Sequence, residues 1–288
     1  MLKTNRDKLV IQSVHGKIHS PMMGPNPYRI NHEGKPMILH GTGGITYNFQ
    51  IGDSCMDIVG DHVEPGVSMR NEDAAENRAL NILSCVGNEA KVTSGDAKGA
   101  KGFVTGSHGG IDHILVYFPQ EDLEKMTIDD KIQIKATGLG LEIEGYEDIK
   151  VMNLDPDLFE KLGVKENEEG QLEIPVVTEI PAKLMGSGIG SATSLSGDYD
   201  ITTGDKEAVK KYGIDKLRFG DLVLLKDCDN TFGRQYLEGS VTVGVIVHSD
   251  CILAGHGPGV TGLFSCKTSK IKGIIDKDAN LANFLDVK

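Results

Sequence analysis

The number and spacing of glycines constrain the fold of this chain more than any other feature. The 288 residues include 36 glycines, nearly twice the usual share of about 7%, scattered without a three-residue period. Between Pro21 and Gly66, a glycine or proline interrupts the chain every few residues, which leaves no room for helical periodicity. Because glycine adopts positive φ without steric cost, this spacing indicates many tight turns and bulges, and therefore many short strands.

Alternating apolar residues occupy much of the remaining chain and predict strands. The clearest cases are Lys131–Ala136 and residues 241–247. One longer helix is predicted over residues 71–86. Three short helices are predicted to begin with capping residues, at Asp155, Asp205 and Asp278. We therefore predict a mainly β protein whose domains resemble a barrel or a sandwich, with one longer helix and a few short ones.

The length of the chain favours two domains of ordinary size. The acidic stretch at residues 165–171 contains no apolar residue, and a stretch of this kind is typical of a domain boundary. We place the division there, which gives an N-terminal β-rich domain at residues 1–168 and a C-terminal β-rich domain at residues 169–288.

Charge and hydropathy exclude two classes of partner. The net charge of −12 repels phosphate backbones, and the chain has no strong basic patch, so we predict no nucleic-acid partner. No uncharged apolar run approaches 18 residues, so we predict no membrane partner. The five cysteines are odd in number and show no CxxC spacing, and the first residues are charged. These features predict a cytoplasmic protein with reduced thiols.

Three histidines lie in glycine-rich loops next to strand-like segments: His40, His108 and His256. Small neighbours allow a ligand or a metal ion to approach each imidazole and the adjacent backbone N–H groups. The alternative interpretation is that a glycine-rich turn simply tolerates histidine. Three such loops in one chain favour a shared cleft, and we predict that the loops of His108 and His256 meet.

The second loop is the richest in chemistry, because His108, Asp112 and His113 lie within six residues. Two imidazoles and a carboxylate suit a divalent ion such as Zn²⁺ or Mn²⁺, or a base held by its own carboxylate. The alternative is a β-turn in which Asp112 accepts local backbone N–H bonds. We predict His108, Asp112 and His256 as the metal ligands.

A second candidate segment is residues 61–66. In an extended chain His62 and Glu64 point to the same side and could supply a ligand and a base. A solvated turn before Pro65 is the alternative. Together with His108 and Asp112, these two residues form the predicted catalytic set. His248 has two interpretations, as a core histidine or as a member of the same cleft.

The glycine- and serine-rich loop at residues 186–191 invites a phosphate-binding interpretation. A dinucleotide fingerprint requires an amphipathic helix after the loop, and the following residues are too polar for one. We predict instead that Gly186 and Gly188 offer backbone N–H groups to a ligand oxygen. Arg234 is predicted to orient a carboxylate or phosphate of that ligand, with a surface salt bridge as the alternative.

Six short motifs together resemble a bacterial and archaeal family, the domain of unknown function 4438, over nearly the whole chain. They are residues 41–48, 61–68, 106–110, 186–190, 218–221 and 255–260. The resemblance implies a mainly β protein with an N-terminal and a C-terminal domain, and it implies no particular reaction. A weaker likeness links residues 106–112 to the acetamidase/formamidase family. That likeness implies amide hydrolysis, with His108 and Asp112 as metal or catalytic candidates.

Two functions follow as hypotheses. The first is a metal-assisted hydrolase that acts on a small amide or a related C–N bond, with His62 or Glu64 as the base. The second is a non-catalytic, homo-oligomeric protein whose glycine loops form a pocket for a small-molecule ligand. Metal content and turnover of amides distinguish them.

Overall fold

A computed structural model describes residues 2–287 of the chain. Its strands are β1 (Gln12–Ile18), β2 (Arg29–Ile30), β3 (Pro36–Met37), β4 (Ile45–Thr46), β5 (Gly66–Arg70), β6 (Glu89–Val92), β7 (Lys101–His108), β8 (His113–Tyr117), β9 (Lys131–Ala136), β10 (Ile149–Val151), β11 (Lys165–Glu166), β12 (Leu172–Val176), β13 (Thr178–Pro181), β14 (Tyr199–Asp200), β15 (Leu222–Asp229), β16 (Gln235–His248), β17 (Gly259–Cys266) and β18 (Ile271–Ile275). Its α-helices are α1 (Ala74–Leu83), α2 (Gln120–Leu123), α3 (Pro156–Lys161), α4 (Lys206–Lys211) and α5 (Leu281–Phe284).

The N-terminal half forms a closed antiparallel barrel. Its six strands follow the order β1, β9, β6, β7, β8 and β5, and pairing of β5 with β1 closes the ring, while β4 extends β5 outside it. Alternation in β9 places Ile132, Ile134 and Ala136 inside the barrel, as period-2 strands require. Closure removes the unpaired edges that an open sheet of this size would present.

The C-terminal half is built on a mixed sheet of six strands. Along it β10, β17, β16, β15 and β13 are neighbours, and β14 joins the edge of β17. The β15–β16–β17 meander is antiparallel, whereas β13 runs parallel to β15. A smaller sheet of β11, β12 and β18 packs against it through residues such as Leu172, Ile174 and Leu224, which belong to the same apolar core.

The barrel and the mixed sheet touch where β7 crosses β16. A Cβ atom on Gly106 would lie 2.2 Å from Cγ1 of Val247, so only glycine allows the two strands this close. Next to it, the hydroxyl of Thr261 on β17 donates to the carbonyl of Ser107 over 3.0 Å and accepts its N–H over 3.3 Å. This contact fixes the end of β7, where His108 lies, against the mixed sheet.

The predicted mainly β fold is confirmed, with α1 as the longest helix in the described chain. The predicted bounds of that helix were too wide. It begins at Ala74 because the Asp73 carboxylate accepts the N–H groups of Ala75 and Glu76, and it ends before Ser84. The helices at Asp155 and Asp205 begin as predicted, but Asn280 rather than Asp278 caps the last one.

The strand pairing changes from the barrel to the mixed sheet between Ala136 and Ile149. The predicted division after residue 168 stays a prediction. Within residues 2–287, none of the helices has the length and apolar composition needed to cross a bilayer.

Candidate functional site

A central cavity of about 610 Å³ opens to solvent between the barrel and the mixed sheet. Its walls come from the β7–β8 loop, residues 61–62, the segment 187–200 and the loop at 253–256, with the side chains of Arg29 and Arg234. Clefts of this size, lined by loops from two bodies, are the usual place for a small ligand. Six side chains meet at its floor and are called the His/Asp cluster below: His62, His108, His248, His256, Asp198 and Asp200.

The barrel supplies His108 and the group that orients it. His108 ends β7 and pairs across the hairpin with His113, the first residue of β8. Between them lies Glu64, which is fully buried and accepts Nδ1–H of His108 over 2.6 Å and Nδ1–H of His113 over 2.9 Å. Burial alone would raise the pKa of Glu64, but these hydrogen bonds hold it far below its usual value. A buried ionised carboxylate therefore stands directly behind His108.

Glu64 is also the centre of a longer row of polar groups. Ser68 donates its hydroxyl to the same carboxylate, and Nε2 of His113 lies 2.8 Å from Nδ1 of the half-buried His19. The row runs from the cavity through Glu64 to His19. Each member has a hydrogen-bond partner, so the row fixes the tautomer and the ring orientation of His108.

His62 enters the cavity from a left-handed backbone conformation, with φ of +53°. The segment is tied to the other half of the chain, because Val63 N–H donates to Ser249 Oγ over 2.8 Å. Nδ1–H of His62 donates to Asp61 Oδ1 over 2.9 Å. Its free Nε2 then faces Asp200 Oδ2 at 3.7 Å.

His248 lies beneath the cavity at the end of β16 and is fully buried. Its Nδ1–H donates to the carbonyl of Ser249 over 2.9 Å, which leaves Nε2 as the free ring nitrogen. The imidazoles of His62, His108 and His248 are thus oriented in the same way: each Nδ1–H donates to an oxygen, and each Nε2 is left to bind a ligand or a proton. One ring nitrogen from each of the three lies within 4.8 Å of the others. Metal-binding and proton-transferring histidines are commonly fixed in this way.

Asp198 and Asp200 approach from the opposite wall. Because side chains alternate along an extended chain, these two carboxylates point to the same side while Tyr199 is buried on the other. β14 pairs with β17 so that Asp200 faces Gly259, and Gly259 also pairs with His248 across the sheet. Strand register, rather than any local motif, brings the aspartates to the histidines.

Two contacts in the cluster are close without being hydrogen bonds. His248 Nε2 lies 2.7 Å from Asp198 Oδ2, and His256 Nδ1 lies 2.8 Å from Asp200 Oδ2. In both pairs the ring N–H direction misses the oxygen, so Asp198 Oδ2, His248 Nε2 and His256 Nδ1 have no hydrogen-bond partner within the described residues. Buried polar atoms of this kind are rare in proteins unless a water or an ion satisfies them.

Gly259 leaves the room in which these atoms meet. A Cβ atom at this position would lie 2.0 Å from Asp198 Oδ2 and 2.2 Å from His248 Nε2. The other oxygen of Asp198 is already fixed, because it accepts the N–H of Gly109 over 2.6 Å. Any side chain at position 259 would therefore fill the space in which the free oxygen of Asp198 and the free nitrogen of His248 lie.

The cluster requires positive charge beside its carboxylates. Burial opposes protonation of His62, yet the carboxylates of Asp200 and Asp61 raise the pKa of His62 to about 11. Burial also opposes ionisation of Asp198 and Asp200, but His248 and its neighbours hold the pKa of both carboxyls below the usual value. The same two carboxylates raise the pKa of His248 well above normal despite its burial. Imidazolium or a metal cation can supply the charge.

The donor set fits a divalent transition metal. Imidazole nitrogen and carboxylate oxygen are ligands of Zn²⁺ and Mn²⁺, and Cys251 adds a thiol within 4.8 Å of ring nitrogens of His62 and His256. Three overlapping groups of residues could hold an ion: Asp198, Asp200 and His248; His62, Cys251 and His256; and His62, His108 and His248.

The structure brings together most of the predicted site residues. His62, His108 and His256 line the central cavity, and Glu64 lies behind His108 rather than in the cavity. Asp112 stands exposed at the rim, where Asn77 and Asn81 bind its carbonyl, and its carboxylate does not join the cluster.

The three residues predicted to bind a ligand, Gly186, Gly188 and Arg234, are not equivalent in the structure. Gly188 and the buried Arg234 line the cavity, and Arg234 donates to Ser196 O over 2.7 Å. The N–H of Gly186 already donates to Asp200 O over 2.8 Å and is not free for a ligand.

Sequence reasoning missed Asp198 and Asp200. Their spacing of two in an extended segment, close to the glycine-rich loop at 186–191, was the available signal. His248 was considered for the cleft, and the structure places it under the cavity floor.

Taken together, fold and site define a class of β protein in which a closed barrel and a mixed sheet enclose a buried His/Asp cluster. The chain belongs to the family "Domain of unknown function (DUF4438)": the N-terminal domain of that family matches residues 28–160 and the C-terminal domain matches residues 161–285. This confirms the family resemblance noted from the motifs.

A solved structure described as "Crystal structure of TM1086" is similar to the chain, with a TM-score of 0.94 and 48% sequence identity. The similarity covers 98% of this chain and 99% of that one. No curated protein matches the chain.

Proposed function

We propose that this protein is a metal-dependent hydrolase that acts on a small amide or a related C–N bond. The observation that carries the proposal is the pair His248 Nε2 and Asp198 Oδ2, buried, 2.7 Å apart and without hydrogen-bond partners, at the floor of an open cavity. The amide class rests on the likeness of residues 106–112 to the acetamidase/formamidase family.

Asp198, Asp200 and His248 would hold the ion, and we call them the inner site. Two carboxylates and one imidazole leave room in the coordination shell, as catalytic sites require. A divalent ion in such a site lowers the pKa of bound water and polarises a carbonyl group. No serine or cysteine nucleophile is then needed.

His108 is the proton carrier of the proposal. Its Nε2 is free, and the Glu64 carboxylate behind Nδ1 stabilises the imidazolium that forms when Nε2 accepts a proton. In hydrolysis the water oxygen forms a bond to the carbonyl carbon, the C–N bond breaks, and the proton taken by His108 passes to the leaving nitrogen. Glu64 never touches substrate and acts as a positioning residue.

The cavity favours a small polar substrate. A volume of about 610 Å³ accommodates a metabolite rather than a peptide chain. Arg234 lies over the Tyr199 ring, 5.4 Å from its centre, and beside the cavity wall. With Arg29 at the mouth, the cavity offers positive charge to a carboxylate on the substrate.

Metal analysis of protein purified without a histidine tag tests the proposal, combined with ammonia or amine release from formamide, acetamide and carboxylate-bearing amides. We expect bound transition metal and turnover in the wild type, and loss of both in Asp198→Asn. The exposed aspartate variant Asp96→Asn is the control and keeps both. Protein without metal, and without activity after metal is added, would contradict the proposal.

A second candidate is a non-catalytic protein that binds a small ligand. The two arginines and the serine-rich wall at Ser187, Ser191 and Ser196 favour it, because they suit recognition of an anion without any reaction. Thermal-shift measurements against carboxylate metabolites, with and without Zn²⁺ or Mn²⁺, separate the two. Stabilisation without turnover favours the binding protein.

Homo-oligomerisation and a cytoplasmic location remain part of the proposal. Phe232 and Ile275 are 79% and 64% exposed, and we propose that apolar side chains such as these lie at the contact between two copies. All five cysteines are free thiols, as expected in a reducing compartment. Light scattering of the purified protein tests the first point.

A further inference from the structure

We infer that the cavity holds two metal ions, bridged by the carboxylate of Asp200. The inference rests on the proposed function, in which the inner site binds one ion. The second site, called the outer site, consists of His62, Cys251 and His256.

The outer site is separate from the inner site in its atoms. One nitrogen from each of His62 and His256, and Sγ of Cys251, lie within 4.8 Å of one another, and none of these residues belongs to the inner site. His62 and His256 line the cavity, while Cys251 is buried below them. Each group offers three donor atoms, which is enough for a metal site that keeps a position open.

Asp200 is placed to serve both sites at once. Its Oδ1 faces His248 Nε2 at 3.4 Å, on the inner side. Its Oδ2 faces His256 Nδ1 at 2.8 Å and His62 Nε2 at 3.7 Å, on the outer side. A carboxylate whose two oxygens face different donor groups is the arrangement that holds paired ions about 3.5–4 Å apart in two-metal hydrolases.

The outer donors are oriented as metal ligands are. Asp61 Oδ1 accepts Nδ1–H of His62 over 2.9 Å and the S–H of Cys251 over 2.8 Å, so one carboxylate orients two of the three donors. The same carboxylate is placed to take the thiol proton that metal binding releases. The third donor, His256 Nδ1, is buried and has no hydrogen-bond partner among the described residues. A polar atom in that state, beside two fixed donors, indicates a ligand that satisfies it.

The two sites differ in their preferred ion. Two carboxylates and one imidazole make the inner site the harder of the two and suit Mn²⁺ as well as Zn²⁺. A thiolate with two imidazoles makes the outer site softer, and this combination selects Zn²⁺ or Co²⁺ over Mn²⁺. The second ion would lie where the cavity opens, so it would contact substrate together with the inner ion.

Metal stoichiometry and Co²⁺ absorption test the inference on the full chain. We expect two Co²⁺ per chain in the wild type, with a thiolate-to-Co²⁺ charge-transfer band in the near ultraviolet. Cys251→Ser should remove the band. His256→Ala should lower the stoichiometry from two to one, and the fold should tolerate it because the replaced side chain is 30% exposed. Cys266→Ser is the matched control, because Cys266 is a buried thiol beside Thr268 and keeps both signals.

The possible stoichiometries separate this inference from the proposed function. One ion per chain in the wild type, unaffected by Cys251→Ser and His256→Ala, overturns the outer site and leaves the proposed function standing. Two ions that survive both substitutions also overturn it. No bound ion overturns the proposed function and the inference together. Circular dichroism of each variant confirms that a lost ion does not reflect a lost fold.

Discussion

The Nε2 atom of His248 lies 2.7 Å from Oδ2 of Asp198, yet the two atoms do not form a hydrogen bond. Nδ1 of His248 already donates to a backbone carbonyl, so in the neutral ring Nε2 carries a lone pair. Two lone pairs at this distance repel each other, so either Nε2 is protonated, as the raised pKa of His248 favours, or a cation lies beside the pair. The pairing of β16 and β14 with β17 holds His248 and the segment that begins at Asp198 in place, so the site is organised for positive charge, either as imidazolium or as a metal ion.

Gly259→Ala tests that organisation. The new methyl group would occupy space within 2.0 Å of Asp198 Oδ2 and 2.2 Å of His248 Nε2, so one of the two must move. We expect loss of the inner metal ion and a decrease in unfolding free energy of about 1–3 kcal/mol, as overpacking usually costs. Metal analysis and urea unfolding measure both effects.

Gly204→Ala provides the control for that prediction. Gly204 is exposed, and its Cβ would meet nothing within 4 Å, so the same chemical change should leave metal content and stability intact. Full metal content in Gly259→Ala would show that the inner site does not depend on the His248–Asp198 pair.

Glu64→Gln tests the orientation of His108. An amide has one acceptor oxygen, so it cannot accept from His108 and His113 as the carboxylate does, and it stabilises imidazolium less. We expect turnover to fall about 10–100-fold, as substitutions behind a functional histidine commonly cause. Metal content and KM should stay close to those of the wild type.

The split between kcat and KM distinguishes positioning from simple destabilisation in this variant. Destabilisation lowers the free energy of unfolding, which urea unfolding measures, whereas lost orientation of His108 lowers kcat of the folded enzyme. Glu121→Gln, on the exposed helix α2, should leave both kcat and KM unchanged. A kcat of Glu64→Gln equal to that of the wild type would exclude His108, oriented by Glu64, as the proton carrier.

Local patterns in the sequence account for the parts of the fold that depend on nearest neighbours. Alternation predicted β9, and capping by Asp155 and Asp205 predicted the starts of two helices. Local patterns do not determine which strands pair. The closure of the barrel through β1 and β5 depends on contacts between residues more than 50 positions apart, such as Ile18 with Met69, and no motif encodes it.

The site residues also fall into those that local sequence identifies and those that depend on strand pairing. His108 and His256 were identified because glycine neighbours mark them, and the structure places both in one cavity. Asp198 and Asp200 carry no such mark, since an aspartate is also common in any solvated loop. Their role depends on the register of β14 against β17, which sets Asp200 opposite Gly259. Asp112 has a favourable spacing in the sequence, but its turn directs it to the rim.

Acid sensitivity should depend in part on Asp229, which holds the turn before Arg234. Its carboxylate accepts the hydroxyl of Thr231 over 2.5 Å, and the N–H of Thr231 and the amide of Gln235, each over 2.9 Å. Burial opposes ionisation, but these hydrogen bonds keep the pKa of Asp229 below its usual value. The stability they provide is complete above the unfolded pKa of about 3.9 and is lost as the pH falls through the folded pKa.

Asp229→Asn should therefore be less stable than the wild type by about 1.5 kcal/mol at pH 7, the scale of a hydrogen bond to a charged group. The difference should hold down to about pH 4, close to the unfolded pKa, and shrink as the pH falls further through the folded pKa. Urea unfolding at a series of pH values from 7 downwards measures it. Asp215→Asn, an exposed aspartate, serves as the comparison. A difference that stays constant with pH would show that the charge on Asp229 is not what stabilises the turn.

Metal removal should destabilise the wild-type protein and leave Asp200→Asn almost unaffected. Asp200 faces donors of both groups in the cavity, so its amide variant loses affinity wherever in the cluster the ion binds. A ligand present at 100 times its Kd stabilises the folded state by about 2.7 kcal/mol, which corresponds to a decrease in Tm of about 5–10 °C on chelation. Differential scanning fluorimetry with and without EDTA measures the change in Tm for both proteins.

The variant Asp96→Asn, at an exposed aspartate, should respond to EDTA as the wild type does. Equal responses of the wild type and Asp200→Asn to EDTA would mean that the ion binds elsewhere, because the stabilisation would not depend on the one carboxylate that faces both donor groups.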